Sequence, residues 1–417
     1  MGNFLVRKAN GLYGEVSVQS AKNALLPIIS ACALIEAPVT IKNVSMMGDV
    51  EVMLDVLYAL GAKYRYDGDN LTVDCRSLYK NELPEELTRK IRSSVFLLGP
   101  LIARFRKVTL VKSGGCNIGK RPIDIHISGL KKLGVDAMET EVLYLRADKL
   151  TGAEITLRFP SVGATENLIM AAVTAIGTTV IKNAAREPEV KCLCDFLRVA
   201  GAKIKGGGSG EITVEGVKTL TKTPFSFTPV PDRIEAGTFI LAALLTGGEI
   251  LLKNCVKDFN ASLIEKVRNN ACKLRVFNDR IYIKSKGRGK ALGEITAAPY
   301  PGFATDLQTI AIAYAATLDG VTVVKDEVFK KRFAETGELS KLGADIKVCD
   351  NTATVRGVES LSGGAVKALD LRGGAALVLA GLKAQGETVI ENAELIDRGY
   401  YKLDEKLRKL GADVTRI

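Results

Sequence analysis

One pattern returns six times along this chain, and it limits the fold more than any other feature. An apolar helix leads into a Leu-x-x-Leu-Gly-Ala type of turn, and a short strand follows. The turns are Leu57-Tyr58-Ala59-Leu60-Gly61-Ala62, Leu130-Lys131-Lys132-Leu133-Gly134-Val135 and Leu197-Arg198-Val199-Ala200-Gly201-Ala202. A degenerate copy, Val267-Arg268-Asn269-Asn270-Ala271-Cys272, precedes Leu339-Ser340-Lys341-Leu342-Gly343-Ala344 and Leu407-Arg408-Lys409-Leu410-Gly411-Ala412. The spacing of roughly 70 residues exceeds that of a helical-hairpin solenoid, so each copy is expected to be a small α/β unit.

Six units in 417 residues divide naturally into two domains of three. At 47% apolar and 25% charged, with 40 glycines, the chain can build sizeable cores. No apolar run approaches the roughly 18 residues of a membrane span, and residues 1–10 lack a signal-peptide apolar stretch. The expected location is the cytoplasm, with no membrane insertion. Eight cysteines without a C-x-x-C pair fit a reducing compartment. The single histidine, His126, excludes multi-histidine metal sites. No metal site and no cofactor are expected. The net charge of +11 favours anionic partners.

The third copy illustrates the unit. Residues 153–159 read as a strand, 164–175 as an apolar helix, 178–182 as a β-branched strand and 187–200 as an amphipathic helix. A hairpin over 203–214 follows, with Gly206-Gly207-Gly208-Ser209-Gly210 at its tip. In every copy the first helix is apolar all round, which predicts a buried helix with strands outside it. Those helices begin at Lys22-Asn23, Arg92-Ser93-Ser94, Ser161-Val162-Gly163, Asp232-Arg233, Thr305-Asp306 and Arg372-Gly373-Gly374. Helix N-termini carry free N–H groups and partial positive charge, so grouped starts make an anion trap. Simple capping explains Ser or Asp at such starts. It explains Lys22, Arg92, Arg233 and Arg372 poorly unless something anionic lies between them.

The second copy alone carries an insertion, Lys112-Ser113-Gly114-Gly115-Cys116-Asn117-Ile118-Gly119-Lys120-Arg121-Pro122-Ile123-Asp124-Ile125-His126. Its glycines predict an exposed loop able to close over a ligand. Lys112, Lys120 and Arg121 around Cys116 lower the thiol pKa and mark it as reactive. His126, at the loop's end, reads as structural.

Together these segments resemble the UDP-N-acetylglucosamine 1-carboxyvinyltransferase family of enolpyruvyl transferases, over the full length of the chain. The resemblance is carried by Ser20-Ala21-Lys22-Asn23-Ala24, the Gly114-Gly115-Cys116 loop through His126, and Ser161-Val162-Gly163-Ala164-Thr165. Arg186-Glu187-Pro188-Glu189, Pro301-Gly302-Phe303 with Asp306, and Ile396-Asp397-Arg398-Gly399-Tyr400 complete it. It implies two inside-out α/β barrel-like domains of pseudo-threefold symmetry, with the active site in the cleft between them. Residues 22–229 would form one domain, and residues 1–21 with 230–417 the other. The implied reaction joins phosphoenolpyruvate and UDP-N-acetylglucosamine into an enolpyruvyl ether and phosphate, the first committed step of peptidoglycan synthesis.

On that resemblance, Cys116 donates a proton and can form an adduct with phosphoenolpyruvate, while Asp306 is the base at the sugar 3-hydroxyl. Lys22, Arg121 and Arg398 hold the phosphate and carboxylate, with Arg92 and Arg372 nearby. Asn23, Arg121, Pro122, Ile123, Asp124, Ile125, Ser161, Val162, Gly163, Asp306 and Val328 match positions that face the sugar nucleotide. The chain departs from the family pattern at Lys330-Lys331, at Lys120, and at Gly373, where alanine is common. Shikimate-pathway enolpyruvyl transferases are the competing enzyme reading, but they need neither the Gly-Gly-Cys loop nor nucleotide contacts. A nucleic-acid-binding repeat protein would fit the charge. Only 6% aromatic residues, no tryptophan and no basic–aromatic motif speak against it, and no nucleic-acid partner is expected.

Overall fold

The computed structural model describes residues 2–111, 123–329 and 332–417. The chain separates into two compact units. One comprises residues 20–111 and 123–230, the other residues 2–19, 231–329 and 332–417.

Each unit places helices inside and three sheets outside. In the second unit the central helices are Arg233–Thr246, Thr305–Ala315 and Leu371–Lys383, and nearly every residue along them is buried. Helices apolar on all faces need cover on all faces, and the sheets provide it. Strand burial alternates, as in Glu387–Glu391, so one face packs on the helices and the other meets water.

The strand pairing repeats. Glu249–Lys253 pairs in parallel with Tyr13–Ser17 and antiparallel with Arg280–Ser285, which pairs with Cys272–Val276. Val321–Asp326 has the same neighbours in kind: Glu294–Ala297 in parallel, then Thr352–Arg356 and Asp345–Cys349. In the third sheet Phe4–Arg7 lies between Glu387–Glu391 and Val414–Arg416. The first unit follows the same scheme around Lys22–Ala31, Leu98–Phe105 and Val162–Ala172. There Phe225–Phe227 pairs with Pro38–Ile41 and so joins the end of that unit's chain to its beginning. The sheets remain separate, with no closed barrel ladder among the described residues.

The third copy follows its sequence closely. Its elements are Glu154–Thr156, Val162–Ala172, Thr178–Lys182, Pro188–Val199, Lys203–Lys205 and Glu211–Glu215. The glycine run 206–210 is the hairpin tip, with Gly206 and Gly208 at positive φ.

The repeated turn is a helix C-cap. In the first copy Gly61 N donates to Tyr58 O and Ala62 N to Leu57 O, the two bonds of a Schellman motif. The bonds recur at Gly134, Gly201, Gly343 and Gly411, and all five glycines have φ between 91° and 108°. The degenerate copy keeps the left-handed backbone with Ala271 at φ 49°. A second device repeats as well. Asn43, Asn183, Asn254 and Asn392 each follow a strand at φ 53–58°. The Asn183, Asn254 and Asn392 side chains donate to carbonyls of a neighbouring segment, Leu157, Val18 and Ala368.

Candidate active site

In the second unit the three central helices start close together, and their first residues form a buried charge cluster. Asp306 lies in the first turn of Thr305–Ala315, which has no side-chain capping bond. Its carboxylate serves two arginines instead. Arg332 Nη1 donates to Oδ1 at 2.7 Å, and Arg372 Nε donates to Oδ2 at 3.1 Å. Both guanidiniums are almost completely buried, whereas the Asp306 side chain keeps 25% exposure. The carboxylate is therefore held from behind and reachable from one side.

Burial works against charge on Arg372, but Tyr400, Asp306 and Asp232 outweigh it, and the pKa lies above the ordinary arginine value. Arg372 also lies over the Tyr400 ring, 4.9 Å from its centroid, and the Tyr400 hydroxyl meets Thr238 Oγ1 at 2.8 Å. Arg332 is pushed the same way: burial opposes its charge, and Asp306 and Asp370 more than offset that. The cations at these helix starts thus have carboxylate partners supplied by the chain itself.

Capping explains part of the pattern. Asp232 accepts from the Ile234 and Glu235 amides, and Asp370 from the Arg372 and Gly373 amides. Val328 N donates to Asp326 Oδ1 at 2.8 Å, and Asp326 Oδ2 accepts from Thr305 Oγ1, so the Val328 turn is tied to the Asp306 helix. Arg398 is half-buried, and the backbone of its neighbour Gly399 packs on Leu371.

In the first unit Lys22 opens its helix with a buried ammonium, 3.1 Å from Asp49 Oδ2, and Asn23 beside it is half-buried. Asp49 sits in the first turn of Gly48–Ala59, where the helix dipole favours an anion. Arg92 opens a 3₁₀ turn, Arg92–Leu97, that runs into Leu98–Phe105. Ser161 caps Val162–Ala172 by accepting from Ala164 N at 3.4 Å.

His126 joins these starts. A Cβ on Gly163 would lie 3.2 Å from its ring, and Asn167 Nδ2 donates to its Nδ1 at 2.9 Å. Asn167 also accepts from Gly99 N. Burial first, then the nearby Arg92 charge, lowers the His126 pKa to about 4, so the ring is neutral near pH 7. The ring is thus a buried, neutral acceptor for the Asn167 amide. Asp124 opens the next helix, Asp124–Lys132, and is paired with Arg158. Ile123 and Ile125 flank it, half-buried.

Lys112, Cys116, Lys120, Arg121, Pro122, Lys330 and Lys331 lie outside the described residues. Of the other seven cysteines five are buried, Cys272 is half-buried and Cys349 is exposed. Burial pushes Cys75, Cys192, Cys194 and Cys255 up to about 12, which leaves them as inert thiols. Among the described residues no group of three or more His, Cys, Asp or Glu side chains is arranged to hold a metal. Two surface concavities, one around Lys273, Arg275 and Tyr282 and one around Thr109 and Lys131, include none of the candidate residues.

The sequence reading missed Arg332, Asp370, Asp49 and Asn167. Asp370 carried the one usable signal, an acid two residues before a cation at a helix start.

A protein-family model described as EPSP synthase (3-phosphoshikimate 1-carboxyvinyltransferase) matches residues 6–407. UDP-N-acetylglucosamine 1-carboxyvinyltransferase 2 of Caldanaerobacter subterraneus subsp. tengcongensis is 46% identical over all of this chain and all of its own length. The chain belongs to the UDP-N-acetylglucosamine 1-carboxyvinyltransferase family. Another member, UDP-N-acetylglucosamine 1-carboxyvinyltransferase 1 of Symbiobacterium thermophilum, is 44% identical over 97% of this chain and 93% of its own. Among solved structures, the enolpyruvyl transferase NikO from Streptomyces tendae matches with a TM-score of 0.89 at 26% identity, covering 100% of this chain and 98% of that one. The fold described above is thus shared with a solved enolpyruvyl transferase. No helix among the described residues is long and apolar enough to cross a membrane.

Proposed function

We propose that this enzyme transfers the enolpyruvyl group of phosphoenolpyruvate to the 3-hydroxyl of UDP-N-acetylglucosamine, releasing phosphate, in the cytoplasm. The step is the first committed one of peptidoglycan synthesis. The observation that carries the reading is 46% identity, end to end, with a UDP-N-acetylglucosamine 1-carboxyvinyltransferase.

The chemistry sets the site's needs. The sugar oxygen adds to C2 of phosphoenolpyruvate while C3 gains a proton. Phosphate then leaves C2 as C3 loses a proton, restoring the double bond. An acid, a base and anion clamps are required. In this reading Cys116 protonates C3 and Asp306 takes the hydroxyl proton. The one open face of Asp306, backed by Arg332 and Arg372, suits a fixed base that meets substrate from one direction. Lys22, Arg121 and Arg398 hold phosphate and carboxylate, with Arg92 and Arg372 adding positive charge. Guanidinium geometry suits both groups. Asn23, residues 121–125, Ser161, Val162, Gly163 and Val328 line the sugar nucleotide. Residues 22–229 are assigned to one domain, and residues 1–21 with 230–417 to the other.

Phosphate release tests the reading. It should require both phosphoenolpyruvate and UDP-N-acetylglucosamine, and shikimate 3-phosphate should not substitute. Release with shikimate 3-phosphate alone as acceptor would move the chain to the competing branch. Cys116→Asp should retain turnover and Cys116→Ala should lose it. A fully active Cys116→Ala removes the proton-donor role.

A further inference from the structure

We propose that Glu335 is a positioning residue for the Asp306 cluster: a neutral carboxyl that donates a hydrogen bond to Asp370 and fills a space that Gly373 leaves open for it. The inference rests on the carboxyvinyltransferase reading and adds a residue to it. Glu335 opens the Glu335–Lys341 helix and is 1% exposed. Its side chain lies against the start of Leu371–Lys383. A Cβ on residue 373 would stand 1.9 Å from Glu335 Cγ and 2.0 Å from its Cδ. Only glycine fits there while Glu335 keeps its place, and this accounts for Gly373 where alanine is common.

Two carboxyl groups then face each other. Asp370 already accepts the Arg372 and Gly373 amides at Oδ1 and is the less deeply buried of the two. Two carboxylates in hydrogen-bond contact do not both ionise, so the proton resides on Glu335. Burial first, then Asp370, raises the Glu335 pKa from 4.5 to about 8, with Arg332 pulling the other way. The charged groups facing Glu335 are therefore Asp370 at the start of one helix and Arg332 on the turn before its own. Among the described residues Arg332 Nε has no hydrogen-bond partner, while Nη1 holds Asp306. An ionised Glu335 is repelled by Asp370 and competes with Asp306 for Arg332. That loosens the base and leaves the anion clamps on other elements in place, so the effect falls on kcat rather than on KM.

The test pairs pH profiles with thermal stability for the wild type, Glu335→Gln and Glu335→Ala. In the wild type kcat should fall roughly tenfold per pH unit above about 8. Glu335→Gln should match it below pH 7 and lack that limb. Glu335→Ala should have kcat reduced about tenfold throughout, with KM little changed. Stability gives a readout independent of activity. A raised carboxyl pKa stabilises the folded chain below the ordinary glutamate value, and this stabilisation is lost as pH rises toward about 8. The Tm of the wild type relative to Glu335→Gln should therefore decline between pH 5 and pH 8 and level off above. Gly373→Ala should lower Tm in the wild type and much less in a Glu335→Ala background. An alkaline limb unchanged in Glu335→Gln, or a flat Tm difference from pH 5 to 8, overturns the proposal. A wild type inactive at every pH sinks the functional reading and the positioning role with it. The Tm comparison still decides whether Glu335 is held neutral.

Discussion

Asp306 shows what one residue contributes when its partners are buried. Removing the carboxylate leaves Arg332 and Arg372 as unpaired charges in a dry interior. Asp306→Ala should cost about 3–5 kcal/mol of stability, measured by urea denaturation. Asp306→Asn keeps the shape and part of the hydrogen bonding. It should cost less stability while kcat falls by about 10²–10⁴. Equal stability losses would mean that the charge itself does not hold the cluster. His126 makes a pH prediction. Its pKa drops from 6.5 to about 4 on folding, so the unfolded chain binds more protons between those values. Stability should be full above about pH 6.5 and decline as pH falls toward 4, by on the order of 3 kcal/mol. His126→Gln should flatten that slope; an unchanged slope places its origin elsewhere. At this scale the sequence revealed residues whose role follows from local position, such as Ser161 at its cap. It hid the pairings that distant partners define: Arg332 and Arg372 reach Asp306 from 26 and 66 positions away.

Among elements, the repeated helix-turn-strand unit was legible because its period and its C-cap glycines are written in consecutive residues. The buried helices were readable from their uninterrupted apolar character. Less was visible where tertiary pairing decides. The start of the Leu98–Phe105 helix is a 3₁₀ turn, and the strand expected over 153–159 is only Glu154–Thr156, because just those residues find a ladder partner. The inset of Phe4–Arg7 between strands from the chain's other end has no local signal at all. The degenerate turn offers a test. Ala271 occupies a left-handed position that glycine fills in the other five copies. Relief of that strain exceeds the entropy cost of glycine, so Ala271→Gly should stabilise the protein by about 0.5–1 kcal/mol in chemical denaturation. Destabilisation would show that the Ala271 side chain contributes packing that outweighs its backbone strain.

Over the whole molecule, the +11 charge is not spread as a featureless basic coat. Some of it is drawn inward to helix starts, where Lys22, Arg332 and Arg372 meet Asp49 and Asp306. Among the described cysteines only Cys349 is exposed, and the buried ones are poor nucleophiles. A thiol alkylator should therefore inactivate the wild type and Cys349→Ser equally and spare Cys116→Asp. Loss of sensitivity in Cys349→Ser would point to the wrong thiol. The most direct measurement is of the product itself, by mass spectrometry and phosphate assay on one reaction mixture. UDP-N-acetylglucosamine should become its 3-enolpyruvyl ether, one phosphate appearing for each ether formed. Phosphate release without that ether, or an unchanged sugar nucleotide beside consumed phosphoenolpyruvate, would contradict it.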